Sequence, residues 1–234
     1  IQGEGIVGQE DCLYLDIQAP VNNPNRRLPV MFWIHGGGNT SGVKDYYDFS
    51  EFIKQQQVIV VTINYRLGPM GWFTHPAIQG PQNGLDKTSN FGTLDIIQAL
   101  RWVQNNITEF GGDSDNVTIF GESAGGHNVL SLLSSPISNG LFHKAISQSG
   151  YTTTFTLEEA FGSDVNGDTV NERGSDLALS QNDLSGYGSI KKLYMEDPIK
   201  YGKEFQRYLR SVDGKGLFNA YNKISDDTFD RLPL

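Results

Sequence analysis

The chain has 234 residues, of which 38% are hydrophobic and 19% are charged, as expected for a globular protein with one sizeable core. Its net charge of −9 and its lack of a basic patch argue against nucleic acid as a partner. No apolar run reaches the roughly 18–20 residues that a membrane-spanning helix needs. The single cysteine, Cys12, cannot form a disulfide within this chain.

Strands and helices are predicted in alternation over the first 150 residues. Apolar and polar residues alternate from Leu13 to Pro20, which predicts a strand, and apolar runs predict the strands that follow. The predicted strands cover 13–20, 28–34, 58–65, 117–120 and 144–149; the predicted helices cover 49–57, 90–110 and 124–133, with a loop over 66–84. This alternation favours an α/β fold with a doubly wound, mostly parallel sheet.

The character of the sequence changes after Gly150. Residues 152–189 are rich in Gly, Ser, Asn and Asp, and residues 190–232 predict several short helices. We expect residues 1–150 to form the core that carries the chemistry, and residues 151–234 to form a helical, cap-like or lateral segment of the same domain. Solvated surface helices are an equally good interpretation of that second segment.

A G-x-S-x-G motif, Gly121-Glu122-Ser123-Ala124-Gly125, lies between a predicted strand and a predicted helix. This arrangement is typical of a nucleophile elbow, in which small neighbours allow a tight turn that presents the serine hydroxyl. Ser123 is therefore the candidate nucleophile. The alternative is a glycine-rich turn whose serine only caps the helix.

A second glycine-rich loop, His35-Gly36-Gly37-Gly38, follows the strand over 28–34. Because the carboxyl ends of parallel strands lie at one edge of a sheet, this loop and the elbow should meet there. Its glycines would let backbone amides approach a substrate carbonyl, and the amide of Ala124 would be a further donor. His35 could shape this loop.

A serine nucleophile needs a histidine base that a carboxylate orients. The chain has four histidines, at positions 35, 75, 127 and 143. His75 suggests a structural role, and His127, on the helix behind the elbow, a surface or packing role. His143 is too close to Ser123 in sequence to leave room for an intervening acid. No complete triad is therefore predicted within this chain.

Beside these motifs, the chain resembles the type-B carboxylesterases, the family of bacterial p-nitrobenzyl esterases and cholinesterases. The resemblance rests on Phe110 to Gly125, on Glu10 to Pro20, and on shorter blocks. Those blocks are His35-Gly36-Gly37-Gly38, Asn64-Tyr65-Arg66-Leu67-Gly68, Asn90-Phe91-Gly92-Thr93-Leu94-Asp95 and Ala145-Ile146-Ser147-Gln148-Ser149-Gly150. The resemblance covers residues 10–150 and is weak beyond them.

The resemblance implies an α/β-hydrolase fold and hydrolysis of small carboxylic esters through an acyl-enzyme on Ser123. Gly37, Gly38 and Ala124 would form the oxyanion hole, and Glu122 would shape the site electrostatically. No metal or organic cofactor is implied. Family members place the triad acid and histidine beyond the segment matched here, so we expect a fragment, cut at both ends and inactive alone.

The same resemblance bears on three further features. Arg66 and Asp95 match positions with a structural role. Cys12 matches a cysteine that often pairs with one upstream, although within this chain it is a free thiol. The location of family members suggests a periplasmic or secreted protein, while the oligomeric state stays open.

Two rival hypotheses for the function remain. The chain could be a non-catalytic adhesion or binding relative, or a lipase or peptidase on the same fold.

Overall fold

The structure, a computed structural model, describes residues 6–21, 27–162, 174–181, 184 and 186–222. They divide into two compact units. The first consists of Asp11–Leu67 and Gly92–Thr152, and the second takes its described residues from Ile1–Glu10, Gly68–Phe91 and Thr153–Leu234. Whether residues 151–234 act as a cap stays a prediction.

Among the residues that the structure describes, five strands form one sheet in the first unit. They are β1 (Leu15–Gln18), β2 (Leu28–Ile34), β3 (Ile59–Ile63), β4 (Gly112–Glu122) and β5 (Lys144–Gln148), in the order β1-β3-β2-β4-β5. β1 pairs with β3 antiparallel, and the other three pairings are parallel. The prediction of a mostly parallel sheet is confirmed.

The helices of the described residues, in chain order, are α1 (Ser50–Gln56), α2 (Pro69–Trp72), α3 (Pro76–Gln79), α4 (Phe91–Asn106), α5 (Ala124–Ser134), α6 (Leu157–Phe161), α7 (Ser175–Gln181), α8 (Tyr187–Glu196), α9 (Pro198–Ser211) and α10 (Gly214–Asn222). The predicted helices over 49–57, 90–110 and 124–133 are thus present. The last turn of the predicted helix over 90–110 is a 3₁₀ turn, Ile107–Phe110.

Strand β3 is covered by other residues on both of its faces. All five of its residues are buried. On one face, Val60 packs in a cluster with Ile53 of α1 and the partly buried Met31 of β2. A continuous apolar run is the sequence signature of such a strand.

The register of the parallel strands brings the two glycine-rich loops together. Ile34, the last residue of β2, lies opposite Gly121 near the end of β4. The loop that begins at His35 and the elbow at Ser123 therefore leave the sheet at adjacent positions of the same edge. Sequence reasoning placed them there, and the register confirms that placement.

An ion pair ties the segment after β3 to α4. The Arg66 guanidinium donates to both carboxylate oxygens of Asp95, from Nε and from one terminal nitrogen, at 2.8 Å each. The Arg66 backbone amide donates to Asp95 Oδ2 at 3.1 Å. Because the Asp95 side chain is 7% exposed, these three donors replace the water that its charge would otherwise need.

The predicted loop over 66–84 differs from the structure. It contains α2 and α3, each of which begins with a proline at its first position. Proline is well suited to that position because its fixed φ and missing N–H cost nothing there. Each helix is four residues long, so neither is long enough to show a periodic pattern.

A hydrophobic cluster in the second unit joins α3, α7, α8 and α9 through Ala77, Leu179, Tyr187, Ile190, Phe205 and Leu209. The His75 ring packs edge-on against Tyr187 and Phe205 of this cluster. His75 Nδ1 accepts a hydrogen bond from the Ala77 amide, so His75 caps α3. Its Nε2–H therefore donates to the Tyr187 hydroxyl, which donates to Asp176. The structural role expected of His75 agrees with these contacts.

None of the helices that the structure describes combines the length and the apolar character needed to cross a bilayer.

The Arg66–Asp95 pair gives a first prediction about stability. Replacing Asp95 with Ala leaves a guanidinium without its carboxylate, so the free energy of unfolding should fall by about 1.5–3 kcal/mol. The matched control is Glu51→Ala, which removes the exposed Lys54–Glu51 pair and should change stability by less than about 0.5 kcal/mol. Urea unfolding of both variants measures this difference. Equal effects would show that the Arg66–Asp95 pair contributes no more than a surface pair.

His75 gives a second prediction, about pH. Burial lowers the pKa of His75 from 6.5 to about 4, against a weaker opposing effect of Asp176. Between pH 6.5 and about pH 4, His75 is protonated in the unfolded chain but stays neutral in the folded protein. The folded state should therefore lose stability as the pH falls below about 6.5, by about 1.4 kcal/mol per pH unit from this residue.

The measurement is urea unfolding at pH 7 and pH 5 for wild type, His75→Phe and His143→Gln. His75→Phe should lose about 2 kcal/mol less than wild type between the two pH values, because Phe does not titrate. His143→Gln keeps His75 in place, so its loss of stability should stay closer to that of wild type than the loss in His75→Phe does. A full wild-type loss in His75→Phe would contradict the assignment of this pH dependence to His75.

Candidate active site

Ser123 occupies a strained turn between β4 and α5. Its φ of 56° and ψ of −123° lie in a region that non-glycine residues rarely adopt. The turn is held by two backbone hydrogen bonds, from the Ser123 amide to the Gln148 carbonyl at 2.8 Å and from the His127 amide to the Ser123 carbonyl at 3.0 Å. Ser123 is partly exposed, whereas Ala124 next to it is buried. The serine therefore projects from a backbone that its neighbours fix.

The glycines of the motif are required by close backbone contacts. A Cβ on Gly125 would run into the Ile34 carbonyl oxygen, and a Cβ on Gly121 would lie 2.5 Å from the Gly125 carbonyl. Real Cβ atoms do not approach so closely, so neither position accepts a side chain without movement of the backbone. These contacts place the elbow directly against the end of β2.

The loop after β2 is a tight turn with two successive glycines in the left-handed region. Gly37 has φ 109° and Gly38 has φ 61°. The Gly37 carbonyl accepts hydrogen bonds from the Thr40 and Ser41 amides, both at 3.0 Å, and from the Ser41 hydroxyl at 3.1 Å. Because that carbonyl is engaged inside the turn, the loop has a fixed conformation.

The loop lies against the nucleophile. A Cβ placed on Gly36 would be 3.2 Å from the Ser123 Cβ and 2.7 Å from the Glu122 carbonyl oxygen. The structure therefore brings together the residues that the sequence assigned to one site: the serine, the glycine loop and Ala124. The Ala124 amide belongs to the first turn of α5, where backbone N–H groups lack helical partners.

Glu122 and Tyr47 flank Gly36. The Glu122 side chain is exposed, and its Oε2 would lie 3.2 Å from a Cβ on Gly36. Burial, and after it the charge of Glu122, raise the pKa of the Tyr47 hydroxyl, against a weaker opposing effect of the Gly36 backbone. The Tyr47 ring packs edge-on against Trp33 at 4.8 Å. The Glu122 carboxylate thus lies near the loop and next to Ser123 in sequence, and its role in shaping the site stays a prediction.

His35 lies behind the loop and is buried. Its ring stacks on Tyr65 with centroids 4.4 Å apart, and its Nδ1–H donates to the Gly36 carbonyl at 2.8 Å. Burial lowers the pKa of His35, partly offset by that carbonyl, so the ring is neutral at neutral pH. This position fits the shaping of the loop that the sequence suggested.

The remaining histidines are engaged away from the serine. His127 stacks on Tyr151 at 4.3 Å, and its Nδ1 lies 2.7 Å from the Tyr151 carbonyl. His143 accepts a hydrogen bond from the Val117 amide at 3.1 Å through Nδ1. Across the described part of the chain, no histidine ring is hydrogen-bonded to the Ser123 hydroxyl. His127 is buried, so its role is in packing and not at the surface.

The sequence analysis assigned no role in the site to three polar residues near the loop: Asn39, Tyr65 and Asn128. All three are buried, and their side chains are hydrogen-bonded to one another. One signal was available, since Asn128 follows Ala124 by four positions and must therefore share its face of α5. The pairing with Asn39 has no signal in the sequence.

The described residues contain no group of three or more His, Cys, Asp or Glu side chains placed to hold one metal ion.

Comparisons with known proteins identify the family of the chain. Residues 2–185 match the family model described as "Carboxylesterase family". The chain is 48% identical to the para-nitrobenzyl esterase of Bacillus subtilis (strain 168) over 153 residues, which are 64% of this chain and 30% of that protein. It is 52% identical to the cocaine esterase of Homo sapiens over 142 residues, 60% of this chain and 24% of that protein. The chain thus spans less than a third of the length of these curated relatives.

Solved structures extend the agreement to the fold. A thermophilic PNB esterase superposes with a TM-score of 0.71 at 35% identity, over 97% of this chain and 42% of that structure. Another PNB esterase structure gives a TM-score of 0.69 at 37% identity, over 92% of this chain and 38% of the other. The expected α/β-hydrolase fold is confirmed by these neighbours, and the chain belongs to the carboxylesterase family.

Proposed function

We propose that the whole protein hydrolyses carboxylic esters through an acyl-enzyme formed on Ser123. The observation that carries this proposal is the strained, partly exposed Ser123 facing the Gly36 end of the glycine loop. Membership of the carboxylesterase family supports the same reaction, and the relatives' names indicate esters as the substrate class.

In the proposed mechanism the Ser123 hydroxyl attacks the ester carbonyl as its proton passes to a base. The amides of Gly37, Gly38 and Ala124 stabilise the resulting oxyanion, and such donors are typically worth about 10²–10³ in rate each. The alcohol leaves with a proton, and water then cleaves the acyl-enzyme. Glu122 contributes its negative charge near the cation that forms on the base.

We place the base and its carboxylate partner outside residues 1–234. All four histidines of the chain have other hydrogen-bond partners, and none of them lies in bonding contact with Ser123. The relatives are much longer than the matched segment, which leaves ample chain for both groups. Residues 1–234 alone would then give only the residual acceleration, about 10³–10⁴ over water, that remains without a triad.

Labelling of the full-length protein with a fluorophosphonate probe tests the nucleophile. Only an activated serine reacts, so wild type should be labelled and should hydrolyse p-nitrophenyl acetate. Ser123→Ala should abolish labelling and lower kcat by about 10⁴-fold or more. Ser189→Ala, at an exposed serine of α8, is the control and should match wild type. An unlabelled wild-type protein would instead favour a non-catalytic binding relative.

A second prediction concerns the proposed oxyanion donors. Gly37→Ala introduces a Cβ into the Ser41 carbonyl at a φ of 109°, so the loop must move. Because displacing a catalytic group by about 1 Å can cost about 10²-fold, kcat should fall by that order while KM changes little. Gly188→Ala is the control, since nothing lies within 4 Å of its added Cβ. Unchanged kcat in Gly37→Ala would exclude this loop from the oxyanion hole.

A further inference from the structure

Four buried polar residues lie behind the glycine loop, where the chemistry proposed above does not use them. They are His35, Asn39, Tyr65 and Asn128, with exposed fractions of 1%, 1%, 2% and 1%. Burying polar groups is costly unless they are hydrogen-bonded, so their partners reveal what the arrangement maintains.

Asn39 and Asn128 form a reciprocal pair of side-chain amides. The Asn128 Nδ2 donates to Asn39 Oδ1 at 2.9 Å, and the Asn39 Nδ2 lies 3.4 Å from Asn128 Oδ1. The Tyr65 hydroxyl is directed at Asn39 Oδ1 at 3.2 Å and at the His35 carbonyl at 2.7 Å. Tyr65 thus links the pair to the start of the same loop.

The two asparagines belong to the two separate parts of the proposed oxyanion hole. Asn39 directly follows Gly38 in the loop after β2. Asn128 lies one helical turn beyond Ala124, on the same face of α5. The pair therefore joins the element that carries the Gly37 and Gly38 amides to the element that carries the Ala124 amide.

The backbone conformation at Asn39 suits an asparagine. Asn39 has φ 54°, in the left-handed region, where asparagine is better tolerated than most residues. Apolar side chains of similar size would pack behind the loop, but they would not hold it at one distance from α5. A short, directional amide pair does so, and it carries no charge that would disturb a developing oxyanion.

We propose that Asn39 and Asn128 are positioning residues, which set the spacing between the loop amides and the helix amide of the oxyanion hole. This inference rests on the proposed esterase function. The pair touches no substrate atom in this account. Its effect is on the alignment of three backbone donors, which matters in the transition state more than in substrate binding.

A double-mutant cycle in the full-length protein tests the coupling. Asn39→Gly removes one amide while keeping the left-handed backbone available, and Asn128→Ala removes the other without disturbing a helix. Each single variant should lower kcat for p-nitrophenyl acetate about tenfold, with KM changed less than about twofold. The double variant should be no worse than either single one, because the pair is already broken. Asn105→Ala, at an exposed position of α4, is the matched control.

Asn128→Asp gives a readout that a purely structural role would not produce. A protonated carboxyl can donate to Asn39 Oδ1 and accept from Asn39 Nδ2, as the native amide does. An ionised carboxylate cannot donate and sets its charge against Asn39 Oδ1. The ratio of kcat for Asn128→Asp to that of wild type should therefore rise at least about threefold from pH 8 to pH 6, since burial raises the carboxyl pKa. The same ratio for Asn105→Asp should stay constant.

The outcomes separate this inference from the function on which it rests. A wild-type protein without esterase turnover overturns the proposed function and this inference with it. With an active wild type, fully multiplicative effects, a change in KM alone, or a pH-independent Asn128→Asp ratio each overturn the inference only. Thermal unfolding of every variant, carried out alongside, identifies any variant that fails to fold. If Asn128→Ala does not fold, Asn128→Ser takes its place in the cycle.

Discussion

The close approach of α5 to the end of β2 is the constraint on which the site depends. Gly125 lies so near the Ile34 carbonyl that no side chain fits between them. That contact is possible only because β2 and β4 are parallel neighbours with Ile34 opposite Gly121. The register of the strands, the position of α5 and the conformation of Ser123 therefore depend on one another. A shift of one residue in the β2–β4 pairing would move the loop by about 3.3 Å and turn Trp33 to the other face of the sheet.

The buried polar groups that contact the rear of the loop are neutral. His35 is kept neutral by burial, and the asparagine pair and Tyr65 add directional hydrogen bonds without adding charge. Glu122, in contrast, is exposed beside the serine. In the proposed mechanism, the hydrogen bonds behind the loop hold the amides that would face a substrate oxyanion. Such donors are effective because they are oriented before the reaction begins.

The sequence predicts those parts of the structure that local patterns determine. β2, the elbow, α5 and the parallel sheet were all predicted, since apolar runs and glycine spacing reflect a strand and a tight turn directly. The Asn39–Asn128 pair spans 89 residues, and no local pattern encodes a contact of that separation. The short helices α2 and α3 were not predicted because each is only four residues long. Four residues are too few to show a helical period in the sequence.

The proposed donors are main-chain amides, and this has a consequence for how the site can vary. No substitution at Gly37, Gly38 or Ala124 deletes an N–H group, proline excepted, although a side chain on Gly37 would displace its amide by colliding with the Ser41 carbonyl. Change reaches these donors only indirectly, through residues that alter backbone position. Under the proposed mechanism, the side chains around the substrate can therefore vary while the backbone donors stay the same. We therefore expect substitutions to be tolerated more often around the glycine loop than within it.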